Sequence, residues 1–271
     1  MRVTELIATA ALSAALSAVP LPACAADVYY TTGYFGAEIF AIAVSEDKIV
    51  TTDVGPTNGG VCASLAMSKW GTLYSICGNL FGAQQLATID LNTGHATLFG
   101  APVSGLQVMS LAFAPNGTLY AVGDCNPAPS NFECTAGTDP NYNSLYTVDV
   151  TSGAFTQVGA TGAAQFFMGL AFDRHGTLFG VTTTLNPSRI PAVLYRLDLS
   201  TGAATQVAVL IGSTQLMGLA FGDDGSLYAT DFVNDPGLYR IDMKSGFQRA
   251  VAALPFGYSS SLERVRSTDK D

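Results

Sequence analysis

The chain has 271 residues, of which 48% are hydrophobic and only 12% charged, and 21 acidic against 12 basic side chains leave a net charge of -9. A pI near 4.5 repels phosphate backbones and anionic lipid headgroups, which argues against nucleic acid as a partner. So few charges in a chain of this length require that much of it be buried.

In chain order, the first segment is "MRVTELIATAALSAALSAVPLPACAAD", with a basic Arg2, an apolar run of about fourteen residues from Leu6 and a small-residue exit at Ala23-Cys24-Ala25. It predicts a signal peptide over residues 1–25 and a single exported domain over 26–271, secreted or periplasmic. The apolar run is shorter than the roughly twenty residues that span a bilayer, and no later stretch is long enough to do so either, so no transmembrane segment is expected. Leu21-Pro22-Ala23-Cys24 also resembles a lipobox, which would place a lipid anchor at Cys24 and make the protein an outer-membrane lipoprotein. Proline before the small residue is atypical there, which favours cleavage after Ala25.

Three apolar stretches follow, "DVYYTTG" at 27, "EIFAIAV" at 38 and "KIVTTDVG" at 48. A phrase then returns four times: "LAMSKWGTLYSI" at 65, "LAFAPNGTLYAV" at 111, "LAFDRHGTLFGV" at 170 and "LAFGDDGSLYAT" at 219. Each copy is followed by a third stretch ("LATIDLNTG", "LYTVDVTSG", "LYRLDLSTG", "LYRIDMKSG") and a fourth ("HATLFG", "AFTQVGA", "AATQVAVL", "FQRAVAAL"). Short runs rich in β-branched and aromatic residues, bounded by Gly, Asp, Asn or Ser, are strands. Four strands per repeat, at a period of about 45 to 60 residues, predict an all-β, five-bladed β-propeller. Its blades cover 59–100, 105–160, 164–210 and 213–255, with one blade split between 26–55 and 256–268. The C-terminal "GYSSSLERV" supplies the missing first strand of the split blade and closes the ring, which removes free sheet edges. Four blades, with the N-terminal segment as decoration, is the alternative.

Within this grammar, Gly71, Gly117, Gly176 and Gly225 sit where the first hairpin needs a positive φ. Asp90, Asp149, Asp198 and Asp242, each four residues before a glycine, read as caps of backbone N–H groups in turns rather than as metal ligands or acid/base pairs. Asn116 in "NGT" reads as part of a turn, not as a glycosylation acceptor. The cysteines Cys62, Cys77, Cys125 and Cys134 form an even set, which in an exported chain reads as two disulfides. Cys125 and Cys134 bracket the irregular "CNPAPSNFEC". Cys62 and Cys77 flank the first repeated hairpin and face each other only if its register is right.

The pattern "LAF(x)3GTLYAV … LYxIDxxTG" resembles secreted bacterial propellers related to NHL-type and YVTN-type repeats, over essentially the whole predicted mature chain. The resemblance implies binding or scaffolding outside the cytoplasm, with hydrolases and lyases a minority. Strand connectivity places the first-to-second and third-to-fourth turns on one face. The second-to-third and blade-to-blade loops lie on the other, and they vary: the spacing from each "LA" to the third strand is 21, 34, 24 and 19 residues. Variable loops on a rigid ring are where binding sites are built. The expected ligand-binding residues are therefore Asp124, Asn126, Glu133, Asp139 and Tyr142 of the longest loop, with Arg189, Asp231, Asn234 and Asp235 across the same face. The expected partner is a protein, glycan or cell-envelope ligand, with no cofactor and no catalytic residue.

Catalytic sets are poorly served. His95 and His175 lie in tight turns, so a Ser/His/Asp triad lacks a placed base, and a His-rich metal site is disfavoured. The inner strands of the four complete blades read "LAM", "LAF", "LAF" and "LAF", and only Glu263 of the closing strand offers a carboxylate there. Trp70 is the single tryptophan, so no repeated sugar platform exists. The alternative function is a calcium-dependent hydrolase of the lactonase or gluconolactonase kind, a fold this chain resembles. It would hold a central Ca2+ on oxygens of Asn79, Asp124, Asp231 and Glu263, which have to converge on one point.

Overall fold

The computed structural model describes residues 27–45, 49–79, 82–103, 105–125, 142–183, 190–212, 215–232 and 237–265, without the side chains of Phe35 and Cys125. The predicted signal peptide and Cys24 lie outside them. Twenty strands form five four-stranded antiparallel sheets. Blade 1 is β1 (Asp27–Gly33), β2 (Glu38–Val44) and β3 (Ile49–Pro56), completed by β20 (Glu263–Arg264). Blade 2 is β4 (Val61–Met67), β5 (Leu73–Gly78), β6 (Gln84–Ile89) and β7 (Ala96–Leu98); blade 3 is β8 (Leu106–Phe113), β9 (Leu119–Cys125), β10 (Ser144–Val148) and β11 (Phe155–Ala160). Blade 4 is β12 (Phe166–Phe172), β13 (Leu178–Thr183), β14 (Val193–Leu197) and β15 (Ala204–Val209); blade 5 is β16 (Leu216–Phe221), β17 (Leu227–Asp231), β18 (Gly237–Ile241) and β19 (Gln248–Ala253). The five-bladed ring is thus closed by the C-terminal strand. Among the described residues a 3-10 turn at Tyr34–Gly36 is a small departure from the expected absence of helix.

The innermost strands β4, β8, β12, β16 and β20 touch in sequence around the axis. The repeated phrase explains how. Each of the five apolar clusters joins one pair of neighbouring blades. In blade 3, Leu111 and Phe113 pack back onto blade 2, while Ala112 and Tyr120 pack forward onto blade 4. "LAF" therefore splits between two seams, large side chains on one face and a small one on the other. No blade can bury both faces alone, so each apolar face is stable only in the closed ring.

Both edges of a blade are shaped by bulges. In the inner strands the pairing skips one residue between Cys62 and Ser64, Val108 and Ser110, Phe167 and Gly169, and Leu216 and Gly218. In the outermost strands β3, β11, β15 and β19 it skips Val54, Val158, Val207 and Val251. A bulge twists a free edge and spoils its ladder for another chain, so these rims resist edge-to-edge aggregation. The outermost β7 is kept to three residues instead.

Turn chemistry matches the expectation. The four hairpin glycines have φ of 82, 91, 81 and 77° at Gly71, Gly117, Gly176 and Gly225. Asp90 Oδ1 accepts from the N–H groups of Asn92 (2.7 Å) and Thr93 (3.1 Å), and Asp198 Oδ1 from those of Ser200 (2.8 Å) and Thr201 (2.9 Å). Asp149 and Asp242 do the same for Thr151 and Lys244. Asn116 Oδ1 accepts from the Thr118 N–H at 3.0 Å, as a turn residue should. Cys62 stands opposite Cys77 in the ladder and the two are disulfide-bonded. A structural disulfide suggests a compartment outside the cytoplasm. Cys134 lies outside the described residues, as does the side chain of Cys125, so the second expected bridge does too. No helix among the described residues is long and apolar enough to cross a membrane.

Candidate functional site

A cavity of about 530 Å3 opens near the ring axis on the face of the short turns. Its shape follows from the repeat. Ala112, Ala171 and Ala220, the middle residues of three "LAF" phrases, line it beside the aromatic rings of Phe113, Phe172 and Phe221. In the closing strand the same two positions are Glu263 and Arg264, so blade 1 inserts a charged wall into an otherwise apolar floor. The hairpin of blade 4 adds Asp173, Arg174 and His175 at the mouth.

These charges are partly spoken for. The Arg264 guanidinium pairs with Asp27 at 3.5 Å and, more closely, with Asp223 of the blade 5 hairpin. Asp173 Oδ1 accepts from the N–H groups of His175 (2.9 Å) and Thr177 (2.8 Å) and so shapes its own turn. Arg174 and His175 are exposed, and Arg174 Nε donates to His175 Nε2 at 3.1 Å. On the same face Trp70 is 73% exposed, with the Lys69 ammonium 4.7 Å from its ring centroid.

Beside Arg264, Tyr29 takes the place that Leu73, Leu119, Leu178 and Leu227 hold in the other blades. Its ring is fully buried and its hydroxyl has no hydrogen-bond partner among the described residues. Burial first, then the nearby Asp27 carboxylate, pushes this phenol far above its ordinary value, so it stays protonated.

The loop-face residues expected from sequence fare differently. Asn126, Glu133, Asp139, Arg189, Asn234 and Asp235 lie outside the described residues. Asp124 and Tyr142 are brought together: Asp124 Oδ1 accepts from the Asn143 N–H at 3.1 Å, and burial followed by the Asp124 charge raises the Tyr142 phenol. Tyr142 donates to Ala164 O at 3.3 Å, and the Asn143 side chain bonds the carbonyls of Ala163 and Gln165, so this pair anchors the loop between blades 3 and 4. Asp231 is fully buried at the end of β17, opposite Leu216.

Of the residues proposed to supply oxygens to a central cation, Glu263 sits at a different level of the ring from Asp231. Glu263 pairs with Tyr30 near the turn face. Its counterpart in β16 is Ala220, four residues beyond the Leu216 that faces Asp231, a separation of about 10 Å along a bulged strand. Asn79 is in the β5–β6 turn, its N–H donating to Ala83 O at 3.0 Å. Among the described residues no group of three or more His, Cys, Asp or Glu side chains is placed to hold a metal. Sequence reasoning set His175 aside as a turn residue and missed Arg174, Asp223 and Arg264. The break of "LAF" into "LER" was the visible signal for that end of the ring.

No family model matches the chain, and no curated protein matches it. Solved structures share its fold. A gluconolactonase from Xanthomonas campestris is 14% identical with a TM-score of 0.51, over 88% of this chain and 79% of that one. A putative 6-phosphogluconolactonase from Bacteroides fragilis is 12% identical with a TM-score of 0.51, over 89% and 98%. The PQQ-bound aldose sugar dehydrogenase of Streptomyces coelicolor is 15% identical with a TM-score of 0.50, over 86% and 80%. At such identities the likeness is one of fold.

Proposed function

We propose that the protein is a non-enzymatic binding propeller acting outside the cytoplasm, which holds a polar segment of a protein or glycan at one end of its ring. The observation that carries this reading is the axial cavity, with its alanine and phenylalanine floor and the charged wall of Glu263 and Arg264. An apolar floor with a few convergent polar groups is the usual form of a ligand site. The exposed Arg174, His175 and Trp70 on the same face add adaptable contacts. On the loop face, Asp124 and Tyr142 hold the loop between blades 3 and 4 in place. The calcium-dependent hydrolase reading has the shared fold behind it, but its Glu263 stands at the other end of the inner strands from Asp231.

The test is a thermal melt of the purified protein in EDTA and then in millimolar Ca2+, paired with hydrolysis of glucono-lactone under both conditions. A cation that binds only the folded ring raises the midpoint by mass action. The expected result is an unchanged melt and no turnover. A raised midpoint together with calcium-dependent lactone hydrolysis would overturn the binding reading.

A further inference from the structure

Blade 5 departs from the repeat in its outer hairpin. Two places after the aspartate cap, blades 2 to 4 carry the neutral Asn92, Thr151 and Ser200, but blade 5 carries Lys244. In the adjoining ladders Thr88 faces Thr97, Thr147 faces Thr156 and Arg196 faces Thr205, whereas Arg240 faces Arg249. Like charges directly opposite destabilise a strand pair, so the two arginines work against their own ladder. Tyr239 and Ile241 pack into the seam with blade 4, and strand alternation puts Arg240, with Arg249 opposite it, on the other side of the sheet. There Arg240, Lys244 and Arg249 stand with Phe247 and Met243 around a pocket of about 620 Å3 at the turn end of blade 5. The three cations and the Phe247 ring are exposed. The pocket also holds Asp224 and Asp242, and both are engaged. Asp224 accepts from the Ser226 N–H (2.8 Å) and hydroxyl (2.6 Å) and lies 3.7 Å from Arg240. Asp242 accepts from the Lys244 N–H (2.9 Å) and the Ser245 hydroxyl (2.7 Å). Among the described residues no ion pair or side-chain hydrogen bond engages Lys244 or Arg249. Three cations therefore face two carboxylates whose oxygens are taken up by turns.

We propose that this pocket binds a short acidic oligosaccharide, with a uronate carboxylate held by Arg240, Arg249 and Lys244 and a sugar ring resting on Phe247. A guanidinium presents a fork of donors that matches a carboxylate, which makes paired arginines a carboxylate site where a lone lysine is only a point charge. The exposed Phe247 ring gives the C–H face of a sugar an apolar surface beside those charges. A strand-forming peptide is poorly served, because the bulge at Val251 spoils the free edge of β19, so recognition falls to side chains. The net charge of -9 repels a long polyanion, but salt screens that field beyond about 8 Å at physiological ionic strength, and a short ligand sees mainly the local cations. The site adjoins the axial cavity, with Gly225 and Met243 in both walls, yet Arg240, Lys244 and Arg249 line only this pocket, so it does not depend on binding in the cavity.

The test is calorimetric titration of the purified protein with tri-galacturonate, with neutral maltotriose and acidic triglutamate as comparisons, all at about 0.15 M salt. Tri-galacturonate should bind and the other two should not. A Lys244→Ser, Arg249→Thr double variant takes the residues that blade 4 carries at those positions, so its fold should persist with a melting midpoint no lower than the parent's. It should bind tri-galacturonate about tenfold more weakly or worse, since hydrogen bonds to charged groups are lost. Arg196→Thr on blade 4 removes one charge outside the pocket and should leave the affinity unchanged, which separates the site from the overall charge. No binding by the parent, or equal affinity in the double variant, would mean that the cations only guard the edge of blade 5. Equal affinity for triglutamate would overturn the assignment to a sugar.

Discussion

The seam between blades 3 and 4 and the seam that closes the ring between blades 5 and 1 use the same positions of the same repeat in different ways. At the first, Ser110 reaches across and accepts the Leu170 N–H, and eleven buried apolar residues fill the space behind it. The seam between blades 2 and 3 repeats this with Ser64 Oγ and the Leu111 N–H at 2.8 Å. At the closing seam the counterpart is Gly218, against the main chain of Ser261 and Leu262. Within blade 1 the closing strand pairs with β1 through only two residues, and hydroxyl groups make up the deficit. Thr31 Oγ1 bonds Ser261 O (2.5 Å) and Ser259 Oγ (2.7 Å), Thr32 Oγ1 bonds Ser260 Oγ (2.8 Å), and the Thr32 N–H donates to Ser261 Oγ (3.1 Å). A strand delivered from the far end of the chain cannot extend a long ladder, so side chains latch it. That latch also carries Glu263 and Arg264, the charged wall of the axial cavity.

The largest expected difference between the seams comes from crowding. A Cβ on Gly218 would lie 2.6 Å from Leu262 N, main chain that cannot yield like a flexible side chain. Gly218→Ala should cost about 1–3 kcal/mol, the usual range for overpacking, and lower the denaturation midpoint in urea. A midpoint equal to the parent's would show that the closing strand shifts freely.

Ser261→Ala should come next, because it strands the Thr32 N–H and removes a bond to the Thr32 hydroxyl. Losing a buried partner costs about 1–3 kcal/mol. Ser110→Ala strands a single N–H and should cost less, so a larger effect at Ser110 would reverse the ranking of the latch and the seam.

Tyr29→Phe acts in the opposite direction. It removes a buried hydroxyl without a partner and should be neutral or stabilise by up to about 1 kcal/mol, read in the same urea series. A clear loss of stability would mean that the hydroxyl has a role in the latch.

The smallest effect lies on the exposed turns and depends on pH. Hydrogen bonds from the Ser200 hydroxyl, then from the Ser200 and Thr201 N–H groups, hold Asp198 at about 2 against the ordinary 3.8. A depressed carboxylate stabilises the fold above its unfolded value, and that contribution is lost as pH falls through the folded value. Asp198→Ala should therefore melt below the parent at pH 6, and the gap should close between about pH 4 and pH 2. A gap that stays constant down to pH 2 would assign the loss to something other than the ionised cap.

Most of the ring was legible in the sequence because its grammar is local. Hairpin glycines, the Asp caps and the Leu-Ala-Phe alternation each act within a few residues, and four copies reinforce one another. The Cys62–Cys77 pairing followed from the register of a single hairpin. What escaped were features whose partners are distant in sequence or whose shape is collective. Ser64 and Ser110 look like weak points in apolar strands until their acceptor role, 47 and 60 residues away, is visible. The axial cavity is made by three blades and the closing strand together, so no single repeat announces it, and loop-length variation pointed to the other face. The inner-strand bulges change pairing without changing composition.

Native-state hydrogen exchange across the two kinds of seam tests most directly whether the closing strand is the latch of the ring. The amides of Thr32 and of Val265, which donates to Val28 O at 2.7 Å, should exchange through an opening of lower free energy than those of Leu111 and Leu170. Equal protection at all four, or stronger protection at Thr32 and Val265, would contradict the latch and show a ring that opens only as a whole.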